Sequence, residues 1–355
     1  NYKIEWMTKM INVLIIAGGV GTRFWPKSTE KKPKQFVNLI GNKTMLQMTI
    51  DRVKKITSME HIFISTNSHY VDLVLEQIPE ISKENIIIEP VGRNTAPCIL
   101  LSTMIIDKKY PNSNIAVFPA DHILREEDNF VKTIETANQF LKDNKGIITI
   151  GIQPTRPETG YGYIKMSTMP IGKNNFEVIK VDKFVEKPNL EKATEYLSTN
   201  KYLWNAGMFV YNSKYMIEEF EDKMPKMSET INCIINSNDE EYMKNLFEKY
   251  ELCEKISIDY AIIEKSNNIY VIPADLGWDD IGTWPSLQRY IEPDDDDNYL
   301  KGNVEMINSK NNIVYSLNKK IILYNINDIF CIDSDDVIII GNKANIKDVH
   351  ELGKR

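Results

Sequence analysis

Short apolar runs alternate with amphipathic stretches through the first half of the chain. Residues 11–17 (INVLIIA) form a continuous apolar run that ends at glycines, which is typical of a buried parallel strand. The same reasoning predicts more strands and the helices between them, at residues 61–65, 85–89, 115–118 and 147–150 for the strands and around residues 45–55, 70–77, 96–108 and 130–142 for the helices. This alternation favours right-handed crossovers and a mostly parallel sheet with helices on both faces. Ligands of such sheets bind beyond the carboxyl ends of the strands, so we expect functional residues in the loops that follow them.

The pattern becomes mixed after residue 160. Strands are predicted at residues 161–166, 178–185, 203–211 and 269–272, and residues 216–265 should be mostly helical. Beyond an acidic turn at residues 293–298 (PDDDDN), five short β-branched segments recur about every eight residues, at 304–307, 313–316, 321–324, 329–332 and 337–340, before a last short helix at 344–351. We interpret the turn as an exposed linker, with a metal site as the alternative.

These segments predict a small all-β unit, either a sandwich fragment or the coils of a β-helix. We therefore place a domain boundary near residue 295. The sequence then predicts an α/β domain at residues 10–295 and a small β-rich domain at residues 296–355.

Composition and charge disfavour several classes of protein. The chain has 355 residues, 42% of them apolar, and its 43 basic and 50 acidic side chains give a net charge of −7. It is too apolar for a disordered chain and long enough for a sizeable core. The acidic balance, without any run of more than two Lys or Arg residues, disfavours nucleic acid and membrane surfaces as partners. No apolar stretch approaches the roughly 18 residues of a membrane span.

The four cysteines are far apart in sequence and form no Cys-x-x-Cys pair. Widely spaced cysteines are typical of reduced, buried thiols. Residues 1–9 include Glu5 and lack the long apolar region of a signal peptide, and we leave them out of the functional argument. These features together predict a cytoplasmic location.

The loop after the first strand, residues 18–26 (GGVGTRFWP), is the sharpest feature of the sequence. Three glycines in four residues let backbone N–H groups approach a phosphate closely. Two cationic residues, Arg23 and Lys34, follow the glycines and indicate that the loop neutralises the charge of a triphosphate. No Gly-Lys-Ser/Thr follows, so the loop is not a Walker A motif, and Phe24 replaces the third glycine of a dinucleotide fingerprint. The candidate phosphate-binding residues are Gly18, Gly19, Gly21, Thr22, Arg23 and Lys34.

This loop, together with residues 33–36 (PKQF), resembles the signature of the sugar-1-phosphate nucleotidylyltransferases, and of the mannose-1-phosphate guanylyltransferases in particular. Six further blocks match the family in order: 92–97 (GRNTAP), 119–122 (PADH), 160–164 (GYGYI), 184–188 (FVEKP), 204–209 (WNAGMF) and 277–284 (GWDDIGTW). The resemblance covers roughly residues 11–290. It implies a Rossmann-like nucleotidyltransferase domain with a mixed, mostly parallel sheet. The β-rich tail resembles, more loosely, the left-handed β-helix of this family.

Two aspartates are the candidate metal ligands. Asp121 follows the strand at 115–118, and Asp280 follows a strand and a turn much further along. Each alone could be a helix cap or a turn residue. Two carboxylates that converge on a polyphosphate suit Mg²⁺, which prefers oxygen ligands. The family has a small residue at the position of Asp279, so the choice between Asp279 and Asp280 stays open, although Asp280 is the matching position.

The remaining candidates bind the sugar phosphate and the base. Glu186 could accept hydrogen bonds from sugar hydroxyls and Lys187 could hold the phosphate, although a surface charge pair is the alternative. Asn205 lies in an apolar strand, where a buried amide needs partners. Gly207 beside it should allow close approach of a ligand. Gly160 and Gly162 predict a flexible strand or a lid edge over the sugar, with a simple bend as the alternative.

A third group of candidates follows the strand at 85–89. Thr95 could cap the helix that begins there. By resemblance, the loop that contains Arg93, Asn94 and Thr95 lies near the guanine base. Guanine offers N–H donors, so its pocket needs acceptors, and the sequence leaves open which groups supply them.

The implied function is transfer of GMP from GTP to α-D-mannose 1-phosphate with Mg²⁺, giving GDP-mannose and pyrophosphate by in-line attack. The catalytic residues would be Arg23, Lys34, Asp121 and Asp280. One alternative is the same reaction with another sugar or base, and another is a catalytically silent regulatory relative. A dinucleotide-dependent oxidoreductase is disfavoured by Phe24. The enzyme could form a homodimer.

Overall fold

A computed structural model of the chain describes residues 11–169, 176–316 and 318–354. The residues at 1–9 that the sequence set apart lie outside this range. The chain divides into two compact units. The first contains the chain up to Gly18, Thr49–Ala120 and Leu124–Asp279, and the second contains Gly19–Met48, Asp121–Ile123 and the chain from Asp280 onwards.

The first unit is built on a nine-stranded sheet. Its strands are β1 (Asn12–Ile16), β2 (Ile62–Asn67), β3 (Ile86–Glu89), β4 (Asn114–Pro119), β5 (Ile147–Ile152), β6 (Tyr163–Met166), β7 (Ile179–Val185), β8 (Tyr202–Asn212) and β9 (Ile269–Pro273). Their order across the sheet is β3-β2-β1-β4-β8-β5-β9-β7-β6. The strands predicted from apolar runs are confirmed.

The directions of the strands agree with the predicted mixed, mostly parallel sheet, since seven of the nine strands point one way and β7 and β8 run against them. β1 is parallel to β2 and β4, β2 to β3, and β5 to β9. β8 runs antiparallel to β4, β5 and β6, and β7 runs antiparallel to β6 and β9. The sheet is therefore mixed. A strand buried on both faces, such as β8, shows a continuous apolar run whichever direction its neighbours take.

Helices cover the sheet of the first unit. They are α2 (Val71–Gln77), α3 (Thr95–Lys109), α4 (Glu127–Asp143), α5 (Leu190–Thr199), α6 (Ser213–Lys223), α7 (Pro225–Ile235), α8 (Asp239–Lys249) and α9 (Ile258–Ala261), preceded by α1 (Met45–Val53), which begins in the second unit. In α4 the buried residues Phe130, Ile134, Ala137 and Leu141 repeat at helical spacing, so one face packs inward. Acidic residues in its first turn complement the helix dipole.

The second unit contains six short strands. They are β10 (Tyr299–Lys301), β11 (Val304–Ile307), β12 (Ile313–Tyr315), β13 (Ile321–Tyr324), β14 (Ile329–Asp333) and β15 (Ile338–Asn342), followed by a 3₁₀ segment, Lys343–Lys354, where an α-helix was predicted. β10, β12 and β14 pair in parallel, and so do β11 and β13, whereas β15 is antiparallel to β14. The strand at 299–301 was not predicted from the sequence.

The core of the second unit joins the segment after the glycine loop to the C-terminal strands. Phe24 and Trp284 are fully buried and meet edge to face, with ring centroids 5.4 Å apart. The indole N–H of Trp284 donates to the carbonyl of Trp25 at 3.0 Å. Ile313 and Ile332 from the strands belong to the same apolar cluster. The domain boundary near residue 295 stays a prediction, because these compact units group segments by contact and not by position in the sequence.

Candidate functional site

The glycine loop and residues 33–36 pack closely in the second unit. A Cβ on Gly21 would lie 2.8 Å from Cβ of Lys34, so only glycine fits at this position. The backbone N–H of Lys34 donates to the Gly21 carbonyl at 3.1 Å, and the Gln35 side chain donates to the Gly19 carbonyl at 2.8 Å. The glycines thus allow Lys34 to approach the loop.

Lys34 joins the two candidate metal ligands. Its Nζ donates to Oδ2 of Asp121 at 2.9 Å and to the backbone carbonyl of Asp280 at 2.6 Å. Lys34 is 6% exposed, so these contacts are shielded from solvent. The structure therefore brings together three of the predicted catalytic residues.

The Asp121 carboxylate remains accessible, with 38% of its side chain exposed. Burial alone would raise its pKa, but the Lys34 ammonium and the neighbouring His122 outweigh this effect, so the pKa lies below its usual value. His122 Nε2 lies 3.9 Å from Oδ1 of Asp121. The site therefore presents an ionised carboxylate at neutral pH.

Arg23 and the Asp280 carboxylate both lie close to Gly282. A Cβ on Gly282 would be 3.4 Å from Nη1 of Arg23 and 3.5 Å from Oδ2 of Asp280. Ile281 lies between Asp280 and Gly282 in the sequence and is fully buried. Its φ is +37°, which is unusual for a β-branched residue. The fourth predicted catalytic residue, Arg23, thus belongs to the same cluster.

The two adjacent aspartates have different surroundings. Asp280 belongs to the second unit and contacts Lys34 through its carbonyl. Asp279 belongs to the first unit, where its charge acts on Arg156. These surroundings favour Asp280 as the partner of Asp121.

The predicted sugar-phosphate residues lie together in the first unit. A Cβ on Gly162 would be 2.6 Å from Oε2 of Glu186 and 3.4 Å from Cβ of Asn205. The Lys187 ammonium forms an ion pair with Glu186 at 2.9 Å, and Lys187 has a φ of +44°. Gly162, Glu186, Lys187 and Asn205 are thus neighbours in the fold.

The Asn205 side chain makes three hydrogen bonds. Its Oδ1 accepts from Thr149 Oγ1 at 2.9 Å and from the Gly207 N–H at 3.1 Å. Its Nδ2 donates to Oδ1 of Asp259 at 2.9 Å. Gly207 has a φ of +66°, a conformation that favours glycine.

Sequence reasoning missed Asp259 and Thr149. Asp259 stands in the first turn of α9, after the N-cap Ser257, where an acidic residue is ordinary. Burial first, and then repulsion by Glu186, raise the pKa of Asp259 to about 6. Only the hydrogen bond to Asn205 in the folded chain indicates a functional role for Asp259.

The loop before α3 differs in detail from the prediction. Asn94, with φ of +66°, caps the helix by accepting from the Thr95 N–H at 2.8 Å. Thr95 does not cap α3, because its hydroxyl accepts from the Ile258 N–H at 2.8 Å. Nε of Arg93 is buried and has no hydrogen-bond partner among the described residues.

Comparison with known proteins identifies the family. The family model for nucleotidyl transferases matches residues 12–296. The mannose-1-phosphate guanylyltransferase of Salmonella montevideo is 36% identical over 349 residues, which cover 97% of this chain and 73% of that protein. The mannose-1-phosphate guanylyltransferase of Escherichia coli (strain K12) is 33% identical over 345 residues, which cover 96% of this chain and 72% of that protein. The chain belongs to the mannose-1-phosphate guanylyltransferases of the nucleotidyl transferase family.

Solved structures agree with the nucleotidyltransferase fold. The crystal structure of a mannose-1-phosphate geranyltransferase from Thermus thermophilus matches with a TM-score of 0.85 and 28% identity, and covers 97% of this chain and 98% of that chain. A UDP-glucose pyrophosphorylase in complex with UDP-glucose matches with a TM-score of 0.50 at 17% identity, over 78% of this chain, which shows the fold alone. The predicted α/β nucleotidyltransferase fold is confirmed, and the chain is a nucleotidyltransferase.

The candidate carboxylates of this nucleotidyltransferase suit a metal ion that is held partly by the protein and partly by the substrate. No group of three or more His, Cys, Asp or Glu side chains that could hold a metal occurs in the described ranges. A magnesium ion usually takes one or two carboxylates together with phosphate oxygens of the substrate, and not a cage made by the protein alone. Asp121 and Asp280, linked through Lys34, fit that requirement.

In the part of the chain that the structure describes, no helix of this nucleotidyltransferase is long and apolar enough to cross a membrane.

Proposed function

We propose that this nucleotidyltransferase transfers GMP from GTP to α-D-mannose 1-phosphate, producing GDP-mannose and pyrophosphate. The names of its relatives support the choice of both substrates. The observation that carries the proposal is the cluster of Lys34, Asp121 and Asp280 beside the glycine loop, because it combines a cation and two carboxylates at a phosphate-binding loop.

The reaction is a displacement at the α-phosphorus of GTP. A phosphate oxygen of the sugar phosphate forms the new P–O bond, and the bond from the α-phosphorus to the oxygen that bridges to the β-phosphate breaks. The nucleophile has a second pKa of about 6, so it is mostly ionised at neutral pH and needs no general base. Catalysis then depends on in-line positioning and neutralisation of charge.

Cationic side chains of the second unit supply part of this neutralisation. Arg23 and Lys34 bind the triphosphate and stabilise the negative charge that develops on the departing pyrophosphate. The backbone N–H groups of the glycine loop, at Gly18, Gly19, Gly21 and Thr22, contact the same phosphates.

Asp121 and Asp280 would hold Mg²⁺. When bound, the ion would neutralise phosphate charge. Lys34 holds the Asp121 carboxylate in place before any ion binds, and it limits the repulsion that an isolated carboxylate would exert on an incoming triphosphate.

In the first unit, Lys187 orients the acceptor phosphate, and Glu186 and Asn205 bind sugar hydroxyls. Gly207 leaves room for the sugar beside it, and Gly162 allows the Glu186 carboxylate to lie close to the backbone at the same site. The loop of Arg93, Asn94 and Thr95 contacts the nucleotide, near the base.

A panel of substrates tests this function. Pyrophosphate release is measured with Mg²⁺ for four nucleoside triphosphates and several sugar 1-phosphates. We expect GTP with mannose 1-phosphate to exceed every other pair. A different best pair would keep the reaction and replace the substrates, whereas no release by any pair from folded protein would favour a catalytically silent relative.

Aspartate variants assign the metal ligands within the same assay. Asp280→Asn and Asp121→Asn should each lower turnover at least about 10³-fold. Asp279→Asn should cost less than tenfold, and the exposed Asp336→Asn in the second unit serves as the control. If D279N is as damaging as D280N, then the choice of Asp280 is wrong.

The proposal extends to the C-terminal strands and to assembly. Parallel pairing at offsets of 14 and 17 residues, as in Tyr299 with Ile313 and Ile313 with Phe330, supports a short left-handed β-helix. Exposed apolar side chains on its surface, such as Tyr324 and Ile340, support a homodimer. The four free cysteines support a cytoplasmic location. A monomeric mass by light scattering would contradict the dimer.

A further inference from the structure

The hydrogen bonds of Asn205 leave its amide only one favourable orientation. The oxygen receives two donors, the Thr149 hydroxyl and the Gly207 N–H, while the nitrogen faces the Asp259 carboxylate. If the amide were flipped, its N–H groups would face donors and its oxygen would face a carboxylate oxygen. Asp259 and the Gly207 N–H therefore fix the same orientation, and the Thr149 hydroxyl, which can donate or accept, is compatible with it.

This orientation leaves one N–H of Asn205 for a ligand. The amide nitrogen carries two hydrogens, and Asp259 accepts one of them. The second has no acceptor among the residues that the structure describes. A partly buried polar hydrogen finds a partner in a bound molecule or in water.

An acceptor group lies next to this donor. Oε2 of Glu186 and Cβ of Asn205 both border the position that a side chain on Gly162 would fill. The Glu186 carboxylate and the Asn205 side chain are thus neighbours, and glycine at position 162 adds no side chain of its own between them. A hydroxyl group can satisfy both, because it accepts one hydrogen bond and donates another.

We propose that Asp259 is a positioning residue for sugar recognition, which holds the Asn205 amide so that its second N–H donates to a hydroxyl oxygen of the sugar. The inference rests on the proposed function, since it concerns the sugar phosphate that this function requires. Asp259 acts through Asn205 and does not itself touch the reacting phosphorus.

The charges around Asp259 are consistent with this role. The carboxylate faces Glu186 and Lys187 as well as the Asn205 amide. Burial and the Glu186 charge raise the pKa of Asp259 to about 6, so the group is mostly ionised at neutral pH. An ionised carboxylate can only accept hydrogen bonds, which keeps the amide nitrogen, and not the oxygen, turned towards it.

The test compares Asp259→Ala and Asp259→Asn with wild type. Without the carboxylate, D259A should raise the KM for the sugar phosphate about tenfold. The KM for GTP and the kcat should change less than twofold. D259N retains an acceptor oxygen and should recover most of the loss. Glu251→Ala is the control, since Glu251 is an exposed carboxylate of the same unit.

A series of mono-deoxy sugar 1-phosphates tests the hydrogen bond itself. In wild type, one deoxy analogue should lose about tenfold in kcat/KM relative to the parent sugar. In D259A and in Asn205→Ala the same analogue should lose less than twofold, because the donor is already displaced. An unchanged penalty in D259A would overturn the proposal, as would equal losses in the KM for GTP and for the sugar phosphate.

Failure of the proposed function can be distinguished from failure of this inference. If another sugar 1-phosphate is the best substrate, its own deoxy series replaces that of mannose. If no pair releases pyrophosphate, the proposed function fails. Calorimetric titration with mannose 1-phosphate then decides the role of Asp259. Weaker binding by D259A than by wild type supports the role, whereas equal affinity or no binding by either protein overturns it.

Discussion

Lys34 and Asp121 form an ion pair at 2.9 Å although 87 residues separate them in sequence. The pair connects the segment after the glycine loop to the residues that follow β4. Because the same ammonium also holds the carbonyl of Asp280, one buried cation links both proposed metal ligands. Such a pair should act as a unit, and removal of either member should disturb the other.

Substitution of the pair should therefore be non-additive. Lys34→Met and Asp121→Asn should each lower kcat by about 10²–10³-fold, since each removes a charge from the phosphate site. The double variant K34M/D121N should be no worse than about tenfold below the poorer single variant. Steady-state kinetics measures all three, and circular dichroism checks the fold. Lys31→Met, which removes a neighbouring exposed lysine, is the control. Fully additive losses would show that the two residues act independently.

Ile281 offers a test of backbone strain beside Asp280. Its φ of +37° is costly for a β-branched residue, by about 1–3 kcal/mol. Alanine at this position removes the buried side chain and keeps the strain, whereas glycine relieves it. Urea unfolding should therefore find Ile281→Gly at least about 1 kcal/mol more stable than Ile281→Ala.

The matched control for this reversal is Ile313, which is fully buried in the same apolar cluster within β12. There the usual order should hold, with Ile313→Gly less stable than Ile313→Ala by about 1 kcal/mol. If both positions show the same order, then Ile281 is not strained. Kinetics of I281G adds a functional readout, because a looser backbone should lower kcat through Asp280 while the KM for the sugar phosphate is retained.

Local sequence patterns predicted the strands well and the site only in part. The apolar runs of β1 to β5 could be recognised as strands, because a short apolar segment bounded by glycines or polar residues is typical of a buried strand. The antiparallel direction of β8 could not be predicted from its sequence, because a strand buried on both faces is apolar in either direction. The contacts of Asp259 and Thr149 with Asn205 could not be predicted either, because each residue is ordinary at its position in its own helix or strand.

The contacts of Lys34 illustrate the same limit. A lysine after a glycine loop indicates a phosphate site, but its bonds to Asp121 and Asp280 span 87 and 246 residues. Only the fold brings such groups together. The N-cap of α3 is Asn94, one residue before the predicted Thr95. The Thr95 hydroxyl instead accepts a hydrogen bond from the distant Ile258 N–H.

Lys27 should make the stability of the chain depend on pH. Burial, followed by repulsion from Lys301, lowers the pKa of Lys27 to about 7 in the folded chain, from 10.5. Between these two values the unfolded chain binds more protons than the folded chain, so the Lys27 contribution to the free energy of unfolding rises with pH. The slope from one group is at most about 1.4 kcal/mol per pH unit.

Urea unfolding at pH 7, 8 and 9 measures this effect. Lys27→Met should be more stable than wild type at pH 7, and the difference should shrink towards pH 9. The comparison with K27M is needed because the net charge of −7 grows with pH and acts in the opposite direction. Lys31→Met, at an exposed position, should leave the slope unchanged. A constant difference between K27M and wild type from pH 7 to 9 would contradict the lowered pKa.

Asn312 should be essential to the stack of C-terminal strands. It is fully buried, its Oδ1 accepts from the Ile329 N–H, and its Nδ2 donates to Oδ1 of Asn298 and to the Ile326 carbonyl. Asn312→Leu fills similar space but leaves these partners unsatisfied, at a cost of about 2–4 kcal/mol. Asn303→Leu, at an exposed position of the same unit, is the control and should cost less than about 1 kcal/mol. Denaturant unfolding compares the two variants. Equal stability of N312L and N303L would mean that the buried amide does not hold the strands together, and it would remove one physical support for the proposed β-helix.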